Sequence, residues 1–110
     1  MELDMSDVRI VLSTIDSRDK AEQIAETLVK ERLAACVNIL PELVSVYKWK
    51  DALEKEKETL MLIKTSANRL EALSQRIRSL HPYEVPEIIF LEVDGGNSEY
   101  LDWVLVESRA

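Results

Sequence analysis

Histidine and cysteine occur once each in the 110 residues, as His81 and Cys36, and glycine only twice, as Gly95 and Gly96. So few glycines cannot build a P-loop or a G-x-G-x-x-G turn, which excludes nucleotide binding of those kinds. A single histidine excludes H-E-x-x-H and any two-histidine metal site within one chain. A single cysteine excludes an intrachain disulfide and a cysteine-rich zinc cluster, and it suits a reducing compartment. Basic residues are also in deficit: 14 Lys+Arg against 21 Asp+Glu leave a net charge of -7, which repels phosphate backbones and argues against nucleic acid as a partner. No apolar run approaches the ~20 residues that span a membrane, and the opening MELDMSD has neither the basic flank nor the apolar segment of a signal peptide. A cytoplasmic protein without a membrane partner is expected, with residues 1–7 as a loose polar extension and residues 8–110 as one domain.

What the chain does have is a long, two-armed extended stretch over residues 33–65. Its first arm is rich in β-branched, aromatic and small apolar residues, as a pleated, half-buried surface requires. The second alternates Glu54, Glu56 and Glu58 with Leu53, Lys55 and Lys57 before turning apolar, and the two arms meet at Lys50-Asp51. Arms of roughly fifteen residues at ~3.3 Å each reach about 50 Å, well beyond two flanking helices of similar residue count. Beyond Pro41, which marks a bulge or an edge, Leu43, Tyr47 and Trp49 fall on one face and Val44 and Val46 on the other. Neither face suits water. The single chain has no spare element to cover them, so other copies of the protein are the expected cover.

Around this hairpin the periodicity predicts a buried strand over residues 8–15, then a helix capped by Asp16 or Ser17 and ending near Arg32. A second helix follows from an Asn68/Glu71 capping box and must stop at His81, because Pro82 and Pro86 disfavour helical backbone before them. A fourth strand spans residues 88–93, and the two glycines turn the chain into a last helix buried through Tyr100, Leu101, Val104 and Leu105. The order is that of an α+β, ferredoxin-like βαββαβ sandwich with a long central hairpin and an extra C-terminal helix, both crossover helices lying on one face of the sheet.

Few residues are candidates for chemistry. Cys36 lies in an apolar strand, where a free cysteine is ordinary core filling. His81 can simply close a helix, yet it opens a turn held by two prolines and crowded with Tyr83, Glu84 and Glu87, and rigid polar loops are where sites are built. Trp49 and Trp103 read first as packing residues. The glutamate row, about 7 Å between members, has the spacing to hold a divalent cation, although its alternation with lysine also describes a plain solvated hairpin. Lys64, at the end of the apolar run LMLI, is expected to have an anionic partner, either a carboxylate or a ligand.

Several motifs coincide: ERLAACVNI, the SVYKWKDALEKEKE tip, IKT, HPYEVPEI and YLDWV. Together, in this order, they resemble the divalent-cation tolerance proteins of the CutA family from residue 8 nearly to the end. The resemblance implies a homotrimer with a PII-like architecture, linked to copper tolerance, with no enzymatic reaction attached to it. It implies Cu(2+) or another divalent cation as ligand, and no organic cofactor. The PII likeness implies as the alternative a sensor that binds a small anionic metabolite at the inter-subunit cleft and acts on an unidentified protein partner. A stable trimeric scaffold is a third reading. The expected cleft gathers Cys36, Trp49, Glu54, Lys64, His81, Tyr83, Glu84 and Trp103, with His81 as the metal's imidazole ligand. Some members carry a cysteine at the position of Ser13 and a histidine at that of Leu80; both ligands are absent here, and Trp49-Lys50-Asp51 stands where the family often has W-x-G at the tip.

Overall fold

The computed structural model describes residues 7–110; of the expected extension, residues 1–6 lie outside the described residues. Four strands and three α-helices follow one another as β1 (Val8–Ile15), α1 (Arg18–Lys30), β2 (Cys36–Trp49), β3 (Ala52–Ser66), α2 (Leu70–Leu80), β4 (Ile89–Glu92) and α3 (Ser98–Glu107). The strands form one antiparallel sheet in the order β2-β3-β1-β4, the ferredoxin-like arrangement.

The sheet has two unlike faces. Alternate residues Val11 and Ile15 of β1 and Met61 and Ile63 of β3 point to the side of α1 and α2, where they pack with Ile24, Leu28, Leu73 and Ile77 into the main core. Strand β1 is central, but on its other face only Val8 is fully buried while Ile10, Leu12 and Thr14 are half-buried. On the opposite face α3 covers one end, through Leu101, Val104 and Leu105 against Val8. Tyr100, expected in that core, stays 41% exposed. The reason lies in the footprint of a ten-residue helix, which at ~1.5 Å per residue shields only part of a four-stranded face.

Helix ends follow the local chemistry with some shifts. Ser17 caps α1 by accepting from the Lys20 amide, and the helix closes at Lys30, two residues before Arg32 takes the left-handed φ of 59° that turns the chain toward β2. The Asn68/Glu71 capping box does not form. Its place is taken by a 3-10 turn over Ala67–Arg69, with Asn68 accepting instead from the Ser66 hydroxyl.

The hairpin is the long element of the molecule, which extends 51 × 26 × 22 Å. Lys50 and Asp51 both have positive φ, 50° and 67°, the backbone of a two-residue turn whose twist matches that of paired strands. Between Leu40 and Leu43 the register shifts by a bulge, with Pro41 lacking a donor and Glu42 at φ 64°.

Candidate functional site

The turn after α2 is fastened to the root of the hairpin by two side chains. Pro82 denies His81 a helical ψ, so the residue leaves the helix in extended backbone (ψ 136°) after its amide has closed on Ile77 O. Its ring is buried, with Nε2 2.7 Å from Thr14 O and Nδ1 accepting the Tyr83 amide at 3.1 Å. A carbonyl only accepts and an amide N–H only donates. The ring is therefore the neutral tautomer with its proton on Nε2, and neither nitrogen has a lone pair left for a metal. The Tyr83 ring stands edge-on to it at 4.6 Å and donates its hydroxyl to Glu58 Oε2 at 2.9 Å.

Burial first, then this hydrogen bond and the negative charge of Glu58, push the Tyr83 phenol far above its usual range. The sign follows from linkage: below about pH 10 both folded and unfolded chains keep this proton, and above it the unfolded chain alone releases it, so stability falls as pH rises. Difference absorbance at 295 nm between wild type and Tyr83→Phe should show no phenolate from Tyr83 in the folded protein at about pH 11. A full step near pH 10 would show that the Glu58 bond does not hold the proton.

Above this root the register sorts the hairpin's charges. Glu54 pairs across the ladder with Tyr47, Glu56 with Ser45 and Glu58 with Leu43, which puts the three carboxylates on the face of the aromatic residues. An open cavity of about 560 Å³ lies here, lined by Asp16, Tyr47, Trp49, Glu56, Lys57, Glu58, Tyr83 and Glu84 among others. Partial burial and then repulsion from Glu56, Glu54 and Glu58 raise the Tyr47 phenol as well. Among the described residues, no three His, Cys, Asp or Glu side chains converge closely enough in one protomer to hold a metal ion.

The remaining expected residues form a second group. Lys64 pairs across the ladder with Cys36, and its Nζ donates to the Tyr100 hydroxyl at 3.0 Å while lying 5.2 Å from that ring's centroid. Trp103 stacks obliquely on Tyr100, 5.6 Å between centroids. Within the protomer Lys64 is thus partnered by a phenol hydroxyl and not by a carboxylate, and this hydrogen bond raises the lysine's affinity for its proton. Lys64 is six residues along β3 from Glu58, or about 20 Å of strand. Within one protomer the expected residues therefore fall into two groups: His81, Tyr83 and Glu84 near Trp49, with Glu54 farther along the arm opposite Tyr47, and Cys36, Lys64 and Trp103 beside α3.

Sequence comparison follows this geometry. The profile of the CutA1 divalent ion tolerance protein family matches residues 9–107. The chain belongs to that family. A divalent-cation tolerance protein CutA of Thermus thermophilus is 48% identical over 95 residues, covering 86% of this chain and 92% of that protein. The human protein CutA is 47% identical over 91 residues, and the matched part is 51% of its length, so this chain spans about half of that relative. A solved CutA from Xylella fastidiosa superposes with a TM-score of 0.92 at 44% identity, covering 94% of this chain and all of the other.

Within this CutA-family chain the motif residues have distinct roles. HPYEVPE supplies the ring and phenol that tie the turn to β1 and β3, and YLDWV supplies both a core face and the Tyr100–Trp103 pair. The Ser13 hydroxyl is fully buried beside Met61 and has no hydrogen-bond partner among the described residues. Leu80 packs against the main core. Asp16 and Tyr47 in the cavity are not evident from the sequence, where Asp16 reads as a cap and Tyr47 as one more apolar position. The usable signal is antiparallel pairing, which lays the end of β1 beside Thr59.

Proposed function

We propose that this chain acts as a cytoplasmic homotrimer that binds a divalent cation, copper included, in metal-ion tolerance, and that it is a binding protein rather than an enzyme. Membership of the divalent ion tolerance family supports the metal; the observation that carries the site is the carboxylate-lined cavity of Asp16, Glu56, Glu58 and Glu84. Oxygen donors alone suit hard and borderline cations and do not select copper by softness. Water completes the coordination; a second copy is called for on independent grounds by the exposed apolar residues of the hairpin, Val44, Val46 and Leu53 being 61%, 58% and 71% exposed. The half-buried, unpaired Cys36 suits a reducing cytoplasm.

Calorimetric titration of Cu(II) tests this reading. The wild type should bind, and Glu56→Gln/Glu84→Gln should lose about tenfold in affinity, because each amide removes a charged ligand. No heat with the wild type ends the metal reading.

A second reading, an anion sensor, has one specific support. Among the described residues the Lys64 ammonium has its one hydrogen bond to the Tyr100 hydroxyl and no carboxylate partner, and Cys36 and Trp103 lie beside this pair. An anionic metabolite would bind there, remote from the carboxylates.

A further inference from the structure

The hairpin arm beyond the bulge carries opposite charges on its opposite faces; among the described residues none of them is in an ion pair, and Glu58 accepts only the Tyr83 hydroxyl. Glu54, Glu56 and Glu58 stand opposite Tyr47, Ser45 and Leu43; Lys55, Lys57 and Lys48 stand opposite Val46, Val44 and Leu53. Side chains alternate across a strand, so no lysine faces a glutamate across the ladder. The salt bridges among the described residues all lie elsewhere, at α1, α2 and the end of α3. The arm is thus acidic and aromatic on one side, basic and aliphatic on the other, and both sides include large exposed apolar residues.

From this we infer that the acidic face of one copy's arm docks on the basic face of the next copy's arm, so that a neighbour's lysines enter the carboxylate cavity. The inference rests on the homotrimer reading above and adds its pairing rule. Like faces repel, so a twofold contact of acid on acid or base on base is disfavoured. Two opposite faces of a thin ribbon cannot both meet the same partner. Each copy therefore needs two neighbours, a head-to-tail contact that closes into a ring. Apolar residues on each face, Tyr47 and Trp49 on one and Val44, Val46 and Leu53 on the other, exclude water around the charges, which strengthens each pair. The partner's lysine ammonium and a divalent cation seek the same carboxylates, so the cavity is shared between assembly and ligand.

Charge reversal tests the rule, with mass from light scattering and subunit exchange from native mass spectrometry of labelled and unlabelled protein. Glu54→Lys/Glu56→Lys and Lys48→Glu/Lys55→Glu should each accelerate exchange about tenfold or dissociate the assembly, because every interface then sets like charges face to face. The quadruple variant carrying all four changes restores opposite charges at every interface, and its exchange should return to within about threefold of wild type. Circular dichroism on each variant separates loss of assembly from loss of fold. A monomeric wild type overturns the trimer reading itself. A trimeric wild type whose double variants exchange at the wild-type rate, or a quadruple variant as labile as the doubles, overturns the face-to-face pairing and leaves the trimer standing.

Discussion

In His81→Ala, the free energy of unfolding should fall by about 3 kcal/mol, the sum of two lost hydrogen bonds to buried backbone and the cavity left by an imidazole. The ring is 8% exposed and holds Thr14 O on one side and the Tyr83 amide on the other. Without it both backbone groups lose their partner, and the turn that carries Tyr83 loses its link to β1. His81→Gln returns an amide that can donate to Thr14 O, and should recover about half of the loss. Urea denaturation at fixed protomer concentration measures both. Cu(II) titration of the same folded variants should give the wild-type affinity, since the lone pair a metal needs is already accepting the Tyr83 amide. A His81→Ala protein that keeps its stability but no longer binds Cu(II) would put the imidazole in the coordination sphere and reverse this assignment.

Val46→Asp should convert the proposed homotrimer into 12.6 kDa protomers at micromolar concentration. Val46 is 58% exposed in the protomer, so the protomer's own fold loses little when it is replaced. In an interface core the same carboxylate would be desolvated, and an uncompensated buried charge costs about 3–5 kcal/mol, repeated at each contact of a ring. The variant also places a negative charge on the face that is otherwise basic, where it would meet the neighbour's glutamates. Light scattering decides the matter, with circular dichroism to verify that β2 and β3 remain. An unchanged mass would mean that the arm's aliphatic face is not where copies meet.

Much of the architecture is legible in the amino-acid sequence. Alternation at every second residue sets the hairpin and its sorted charges, spacing of three and four sets both crossover helices, and Pro82 and Pro86 set where α2 stops. Lys50-Asp51 marks the turn and Pro41 the bulge, because both depend on the backbone freedom of the residues themselves. The roles of the candidate site residues are another matter. His81 reads as a metal ligand from its rarity and its rigid turn, whereas its partner is a backbone carbonyl 67 residues away, and every residue has such a carbonyl. Tyr83 meets Glu58 and Lys64 meets Tyr100 only because sheet order and helix placement bring them together. That is why the expected cleft residues fall into two groups within one protomer. Periodicity is a relation between near neighbours along one chain, so the sequence alone determines elements and the face each residue occupies. Which side chains converge depends on contacts distant in sequence, and those exist only once β1 lies between β3 and β4 and α3 has packed across the open face.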